Sequence, residues 1–465
     1  MNHRQGTTVL PALLASCVVF AAHGADARAI PVSPDRNLLE VIDSASPGDV
    51  IRLKAGEYRY SLTLNKSLTL EGEPGAVIRG PGEGSVITVN APNTVIRSLT
   101  VRGSGTRIDA FDSGVLLNES AAGSVVDGCR FEENLNGVYI LGAADSLVRN
   151  NTVIGYQQGR SADAGNGISL WKAPGSRVIG NRLYYGRDGL FVQVSRKNLF
   201  RNNIMRKVRF GVHYMYAHDS ELDGNISIDN VNGYAMMYSD NLVMRNNVSY
   251  HDRDQGFLFT YANRSNITGN RIIGGVLPAE RWLTRGMSGH GVPAGEKRAP
   301  VAAGSVRIGP DRCVFIFNSN NNAFSGNSFE GCEIGVHFTA GSEGNYMWNN
   351  AFVSNQSQVK YVSTRYADWT RDGRGNYWSD NPAFDLDGDG IADTAYRPND
   401  IIDRILWTTP QAKVLINSPS VQVIRWAQSQ FPALHPGGVT DSRPLMMPPD
   451  MPDFIVPPDP EEPGT

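Results

Sequence analysis

A repeat of about 22 residues runs through most of this 465-residue chain and constrains its fold more than any other feature. A glycine precedes a short apolar run at regular intervals, and from Gly167 to Gly256 the steps are 22, 22, 22 and 23 residues. An asparagine that follows a glycine or another asparagine keeps the same period. The glycine marker stands at Gly114, Gly137, Gly167, Gly189, Gly211, Gly233, Gly256 and Gly335, and the asparagine marker at Asn151, Asn181, Asn203, Asn225, Asn247, Asn270, Asn327 and Asn350. Two markers locked to one period indicate stacked units, because a single unit cannot bury its apolar face alone.

Each unit contains two or three short strand-forming runs separated by turns. In one unit, Gly211-Val212-His213-Tyr214-Met215-Tyr216 is followed by Gly224-Asn225-Ile226-Ser227-Ile228. This pattern predicts an all-β fold, a right-handed parallel β-helix with rungs of about 22 residues. We expect the marker asparagines to be structural, because an asparagine amide can bond to the same residue one rung away and tolerates turn dihedral angles.

Spacing from the rung glycine predicts which side chains face the core, because side chains alternate along a strand. One and three places after the glycine, the residues are uniformly apolar and are expected inside: Leu190, Val192, Val212, Tyr214, Tyr234, Met236, Phe257 and Phe259. Two and four places after it, they are mixed and are expected on the outer face: Phe191, Gln193, His213, Met215, Ala235, Met237, Leu258 and Thr260.

Three of the outward residues form a candidate metal site. Met215 and Met237 hold equivalent positions on adjacent rungs, roughly 5 Å apart, and His213 lies on the same face. Thioether and imidazole groups suit Cu(I), and residues 205–251 hold five of the 11 methionines and three of the 8 histidines. The alternative is an apolar surface for a partner protein. That surface would also include Trp171, Phe191 and Leu258.

The first 27 residues have the pattern of an export signal. His3 and Arg4 precede an apolar stretch, and Ala25-Asp26-Ala27 offers a cleavage site. The stretch is too short for a confident membrane span. Leu14-Ala15-Ser16-Cys17 resembles a lipoprotein cleavage box and leaves lipidation at Cys17 as the alternative to plain secretion.

Three cysteines remain after the signal: Cys129, Cys313 and Cys332. Such a small, odd number predicts buried thiols packed as small hydrophobic groups, with one disulfide or a metal thiolate as the alternatives. Two segments, 155–166 and 275–312, interrupt the repeat. The second contains Met287 and His290 in a glycine-rich run and predicts a flexible, solvated loop, with metal binding by these two residues as the alternative.

An acidic loop follows the rungs. Asp385, Asp387, Asp389 and Asp393 alternate with other residues around a glycine turn, a spacing of hard oxygen ligands that suits Ca²⁺. Tyr396 stands where a helix-loop-helix calcium hand would need glutamate, so a loop of another kind is expected. An acidic turn without metal is the alternative.

The remaining C-terminal sequence divides into a helical and a proline-rich part. Apolar residues within 411–431 recur with near-helical spacing and predict a docking helix. The tail at 446–465 is proline-rich, and we expect its acidic part, 448–465, to be disordered. The predicted organisation is a signal at 1–27, a β-helix at 28–365, an extension with the acidic loop and docking helix at 366–445, and the tail.

The slight acidity of the chain argues against two classes of partner. The net charge is −3 and no long basic run occurs, so neither nucleic acid nor an anionic membrane surface is expected as the main partner. An exported β-helix could be a polysaccharide lyase or epimerase, which needs a base beside a charge-neutralising group. His213 and His337 could be recruited, but no catalytic constellation stands out. We therefore expect no enzyme, and keep a carbohydrate-binding scaffold as a third alternative.

Several motifs beyond the rungs resemble the NosD family, and the resemblance covers nearly the whole mature chain. They are Gly375-Asn376-Tyr377-Trp378-Ser379-Asp380, the loop 385–393, Tyr396-Arg397-Pro398-Asn399-Asp400, Ala427-Gln428, Phe431-Pro432, Asp441-Ser442 and Pro444-Leu445-Met446, with Tyr238-Ser239-Asp240 and 337–345 upstream. The resemblance implies a periplasmic accessory protein that helps to deliver copper to nitrous oxide reductase. It also implies an ABC transporter permease, its cytoplasmic ATPase and a copper chaperone lipoprotein as partners, with membrane contact only through a partner.

Overall fold

Rungs stacked along one axis form the body of the protein. The structure is a computed structural model that describes residues 27–157, 163–279, 304–339, 341–361, 366–415, 418–430 and 438–459. The predicted export signal with Cys17, and the loop residues Met287 and His290, lie outside this part. Within it, no helix is both long and apolar enough to cross a membrane.

Three parallel sheets make the faces of the solenoid, and we name them by their place in the rung. The glycine sheet contains, among the described residues, Leu62–Leu64, Ile87–Val89, Ser113–Leu117, Asn136–Leu141, Ile168–Trp171, Asp188–Gln193, Phe210–Met215, Asn232–Met237, Gln255–Thr260, Arg312–Phe317, Ile334–Phe338 and Ser357–Tyr361. The pre-asparagine sheet contains Ala29–Val32, Val50–Leu53, Thr69–Gly72, Val95–Arg97, Val125–Asp127, Leu147–Arg149, Arg177–Ile179, Leu199–Arg201, Glu221–Asp223, Val243–Arg245, Asn266–Thr268, Ala323–Ser325 and Tyr346–Trp348. The post-asparagine sheet contains Gly56–Arg59, Ala76–Arg79, Thr100–Arg102, Arg130–Glu132, Thr152–Ile154, Arg182–Tyr184, Ile204–Arg206, Ile226–Ile228, Val248–Tyr250, Arg271–Ile273, Ser328–Glu330, Ala351–Val353 and Tyr377–Trp378.

Short additional elements decorate the stack. The helices are Leu38–Ser44, Ile401–Thr408 and Pro419–Gln430, with 3₁₀ turns at Glu119–Ala121 and Pro410–Leu415. Gly275–Pro278 pairs antiparallel with Val306–Gly309 inside the second interruption. Ala367–Asp368 pairs with Val439–Thr440, and Tyr377–Trp378 joins the post-asparagine sheet, so stacking continues beyond residue 365.

The core contains the side chains that the spacing rule places inside. All eight predicted inward residues, from Leu190 to Phe259, are fully buried. They lie in register from rung to rung, as Leu190, Val212 and Tyr234 show. The predicted all-β parallel β-helix is therefore confirmed.

The marker asparagines form one continuous hydrogen-bonded column inside the turn between two sheets. Asn203 Nδ2 donates to Asn225 Oδ1 at 2.9 Å, and the same bond repeats at each rung from Asn151 to Asn376. The preceding residue has a left-handed backbone, φ 54° at Asn202 and 65° at Gly224, which explains why glycine or asparagine stands there.

A carboxylate ends this asparagine column. Asp441 Oδ2 accepts from the Asn376 backbone N–H at 2.6 Å and from Trp378 Nε1 at 2.8 Å, and Asp441 is fully buried. A Cβ atom at Gly375 would overlap the Asp441 carboxylate. The strand at 439–440 therefore closes the end of the β-helix, where unpaired backbone groups would otherwise be exposed.

The prediction of three free thiols was wrong for two of them. Cys313 and Cys332 form a disulfide, while Cys129 is a buried free thiol. The two bonded cysteines lie 19 residues apart in sequence and on successive rungs, where stacking brings their Cα atoms to 5.7 Å. That separation falls in the range that a disulfide spans.

The expected disorder of the tail was also wrong for residues 448–459. Phe454 packs on Tyr250 with ring centroids 5.5 Å apart, and Asp459 pairs with Arg206 at 3.0 Å. The carbonyl of Pro452 accepts from Arg271 at 3.1 Å. The tail thus runs across rungs of the post-asparagine sheet, whose outer face turns apolar there and gives it a surface to cover. The outward residues of this surface include Ile204, Ile226, Ile228, Val248, Tyr250 and Ile273.

Removing residues 448–465 should lower stability by about 1–2 kcal/mol, because Tyr250 would lose its contact with Phe454 and gain exposed apolar area, and Arg206 would lose its pair with Asp459. Thermal unfolding of the truncated and full-length proteins measures this. Phe454→Ala should cause part of this loss of stability. Ile455→Ala should cause almost none, because Ile455 is 83% exposed. Equal melting temperatures for all four proteins would contradict the packed tail.

Two helices project from the last rung. Asp400 caps Ile401–Thr408 and also pairs with Arg425 of Pro419–Gln430 at 2.9 Å. The predicted helix over 411–431 is present as the 3₁₀ turn and the second helix, whereas Ile401–Thr408 was not predicted. Val421 is buried, but other apolar side chains of this region point to solvent. Those exposed side chains are Ile405, Val414, Leu415, Val423, Ile424 and Trp426.

Candidate functional site

Two methionines lie side by side on the outer face of the glycine sheet. Met215 and Met237 are directly paired in register, and both are half-buried. Neighbouring strands of a sheet are about 4.8 Å apart, so two thioether groups can approach one ion. Gln193 precedes this pair in the column and Thr260 follows it. The sequence prediction therefore places both methionines where the structure has them.

His213 lies on the same face but is buried, contrary to the expectation of an exposed imidazole. Its Nδ1 atom is 2.9 Å from Asp188 Oδ2, and its ring packs on Phe191 and Phe210, with centroids at 5.2 and 4.6 Å. Only 7% of His213 is exposed. These three neighbours hold the imidazole ring in one orientation. On an isolated strand, an outward-facing histidine would rotate freely.

Asp188 determines which nitrogen of His213 is free. Burial alone would raise the pKa of Asp188, but hydrogen bonds from His213 and Arg209 outweigh it and hold that pKa below its usual range. Arg209 contributes two bonds, at 2.9 and 2.7 Å. An ionised carboxylate only accepts, so Nδ1 of His213 carries the proton and Nε2 is left for another ligand. A carboxylate behind the imidazole is the usual support of a metal-binding histidine.

His337 offers a contrast in the same column of the sheet. Arg312 Nε donates to His337 Nδ1 at 2.9 Å. Burial lowers the pKa of His337 to about 3, helped by the charges of Arg312 and Lys360. Its neutral ring therefore carries the proton on Nε2, and neither nitrogen has a free lone pair for a metal ion.

The acidic loop brings three of its four predicted ligands together. One oxygen from each of Asp385, Asp387 and Asp389 lies within 4.8 Å of the others. Asp393 instead accepts from the Leu386 backbone at 2.8 Å. Backbone N–H groups also donate hydrogen bonds to these three carboxylates. The bonds from the Gly390 and Gly388 amides lower the pKa of Asp385. The loop is thus ordered by its own hydrogen bonds, and calcium remains a prediction.

Calcium binding would raise the melting temperature of the protein, because a ligand that binds only the folded state stabilises it by mass action. At 100 times the dissociation constant the gain is about 2.7 kcal/mol. Asp387→Asn should abolish the shift, and Mg²⁺ should give a smaller one, because three clustered carboxylates do not form its octahedron. An unchanged melting temperature at millimolar Ca²⁺ would leave the acidic turn without metal.

Comparisons with known proteins give the family. A family model described as periplasmic copper-binding protein (NosD) matches residues 156–383, and one described as right handed beta helix region matches 85–214. A relative from Stutzerimonas stutzeri, named probable ABC transporter binding protein NosD, is 39% identical over 85% of this chain and 86% of its own. A relative of the same name from Pseudomonas aeruginosa is 36% identical over 85% and 87%. The chain belongs to the NosD family.

Both relatives are named as probable ABC transporter binding proteins and neither as an enzyme, in line with the expectation of no enzyme. Among solved structures, the pre-mature gene product 12 of bacteriophage phi29 has a TM-score of 0.53 at 13% identity, covering 71% of this chain and 49% of that one. At that identity the likeness is one of fold alone.

The NosD-like C-terminal motifs meet at the end of the asparagine column. Asn376 and Trp378 belong to one motif and Asp441 to another, and the Asp441 carboxylate joins them. Tyr396 packs on Trp378 with ring centroids at 4.8 Å and donates to Asp380 at 2.9 Å. These residues close the β-helix, so the motifs that reveal the family are largely structural.

Sequence reasoning missed Asp188 and Arg209. Alternation counted back through Gly189 places Asp188 inside. In the structure a Cβ atom at Gly189 would lie 2.5 Å from Met205 Cγ, so this glycine already faces the interior, as Leu190 does. Two consecutive inward positions shift the alternation, and Asp188 reaches the same side as His213. A glycine at the bend is the signal that could have found it.

Proposed function

We propose that this protein is a periplasmic docking component of an ABC transporter complex that holds Cu(I) in transit to nitrous oxide reductase. The observation that supports it most is the register pairing of Met215 with Met237 beside an imidazole whose Nε2 is left free by Asp188. Copper is the cargo here and not a resident cofactor.

The donor set suits a transient Cu(I) site. Two thioethers and one neutral imidazole are soft ligands that carry no charge, so they favour Cu(I) over harder divalent ions. His213 is preorganised by Asp188 and by two aromatic rings, whereas the methionine side chains are flexible. A fixed ligand with two adaptable ones can accept the ion from one partner and release it to another.

The two C-terminal helices are the proposed contact with the transporter permease. Trp426 and Val423 are 63% and 62% exposed, although a monomer gains nothing from exposing such residues together. Asn399 Nδ2 donates to the Val359 carbonyl at 2.6 Å and ties the helices to the last rung. The permease with its cytoplasmic ATPase would hold the protein at the membrane, while the copper chaperone lipoprotein and the reductase meet the rungs.

Titration of the purified mature protein with Cu(I), against a competing chelator, tests the copper site. Wild type should bind one ion, and Met215→Ala with Met237→Ala should weaken binding by about 100-fold or more, because each factor of ten is about 1.4 kcal/mol and two of three donors are lost. His213→Ala should weaken it as well, whereas His337→Ala should not.

Met447→Ala is the matched control, since this methionine is 74% exposed on the C-terminal extension. Equal affinities in wild type and the double variant would refute these ligands. No binding to any form would point to a scaffold whose copper site is completed by a partner.

A further inference from the structure

A strip of exposed aromatic side chains borders the methionine pair. Tyr216, Tyr238 and Tyr261 each follow the outward residue at the end of a glycine-sheet strand, and they are 46%, 40% and 41% exposed. Val194 extends the strip on one side and Phe317 on the other. We call Tyr216, Tyr238 and Tyr261 the tyrosine ladder.

The tyrosine ladder is rigid. The rings of Tyr216 and Tyr238 stack at 4.8 Å and 11°, and those of Tyr238 and Tyr261 at 5.0 Å and 6°. All three residues have a left-handed backbone, with φ near 51°. A non-glycine residue seldom adopts this conformation, so the turn holds each ring in one direction. Rigid tyrosines lose little conformational entropy on contact with a partner, which suits them to interfaces.

A basic groove opens beside the ladder. It is lined by Lys172, Pro174, Val194, Ser195, Arg196, Tyr216 and His218, with a volume of about 430 Å³. Lys172 and Arg196 are exposed, and neither is paired with a carboxylate in the part of the chain that the structure describes. Arg264, an exposed basic residue on another rung, is by contrast neutralised by Asp240 at 2.9 Å. The groove therefore keeps an excess of positive charge next to an apolar strip.

We propose that the tyrosine ladder and the basic groove together form the docking surface for a copper-exchange partner, a protein that presents carboxylates to Lys172 and Arg196 around an apolar contact. The partner's role in exchanging copper rests on the proposed function, because Met215 and Met237 directly precede Tyr216 and Tyr238. The surface itself is inferred from exposure and charge alone.

A protein fits this surface better than a sugar chain does. A sugar ring stacks on a free aromatic face, but both faces of Tyr238 are covered by its neighbours in the ladder. What remains exposed is a row of ring edges and hydroxyl groups. Apolar edges with polar tips beside complementary charges are the composition of a protein–protein interface.

The test compares association kinetics with Cu(I) affinity. The partners are the purified copper chaperone and the reductase, measured at low and high salt. Lys172→Glu with Arg196→Glu should slow association by on the order of tenfold at low salt and remove most of the salt dependence. Tyr216→Ser with Tyr238→Ser should speed dissociation. Arg36→Glu and Tyr346→Ser, which alter exposed residues near the two ends of the β-helix, serve as matched controls.

The two proposals can fail separately. Loss of docking in the groove and ladder variants, with Cu(I) affinity in the isolated protein within about twofold of wild type, supports this surface. The same loss of docking in a protein that binds no Cu(I) would support the surface and point to a copper site that a partner completes. Unchanged kinetics in both double variants, or no association of wild type with either partner, would overturn the inference.

Discussion

Asn203→Ala should destabilise the protein by about 4 kcal/mol, because each buried polar group left without its partner costs about 1–3 kcal/mol. The Asn203 side chain accepts from the backbone and side-chain N–H groups of Asn181 at 3.0 and 2.9 Å. It also donates to the Val178 carbonyl at 2.8 Å and to Asn225 at 2.9 Å. All of these groups are buried, so water cannot replace the lost bonds. Urea unfolding followed by circular dichroism measures the change.

The neighbouring residue provides the control for this substitution. Asn202 is exposed and has a φ of 54°, which glycine adopts without strain. Asn202→Gly should therefore change the free energy of unfolding by less than about 1 kcal/mol. Similar losses for the two variants would show that the asparagine column contributes no more than its turn conformation.

Asp188→Ala should destabilise the fold by about 3–5 kcal/mol and weaken Cu(I) binding by about 10–100-fold. The stability loss follows because Arg209 would keep its charge in a mostly buried position without the carboxylate that now pairs with it. The affinity loss follows because His213 would lose the acceptor that holds its proton on Nδ1. Thermal unfolding and chelator competition on the same preparation separate the two effects.

Asp188→Asn separates the two roles of this side chain, which are to orient the His213 ring and to balance the charge of Arg209. Its amide oxygen can still accept from His213 Nδ1, so most of the Cu(I) affinity should remain, while Arg209 loses its counter-charge and stability falls. Asp219→Asn, at an exposed carboxylate that accepts from Asn241 and has a left-handed backbone that asparagine tolerates, is the control and should change neither quantity. Full Cu(I) affinity in Asp188→Ala would show that His213 needs no support or is not a ligand.

The regular part of this fold follows from the sequence, because local spacing decides it. Glycine and asparagine at one period fix the rung, and alternation from Gly211 places Val212 and Tyr214 inside. The paired methionines follow from the same rule. The spacing cannot show where a bend interrupts the alternation of side chains. Asp188 was missed for that reason, because the bend at Gly189 turns it to the outer face.

Contacts between segments far apart in sequence were not predictable. Asp441 closes the column at Asn376 from 65 residues away, and Asp459 reaches Arg206 from the far end of the chain. No periodicity links such pairs. The disulfide was one of two weaker alternatives, since the sequence does not show that Cys313 and Cys332 lie on stacked rungs. The tyrosine ladder was not predicted, because its residues lie one position beyond the strands and strand alternation says nothing about them.

The corners of the rung differ in how much length change they can absorb during evolution. The turn that contains the asparagine column always has two residues between strands, from Arg97 and Thr100 to Trp348 and Ala351. Both long interruptions fall instead between the post-asparagine and glycine sheets, after Ile154 and after Ile273. A single inserted residue at the asparagine turn would break the column, whereas insertion at the other corner leaves every register intact. Members of the family can therefore diverge in length by whole rungs or at the corner that carries both long interruptions, next to the strand start where Asp188 lies.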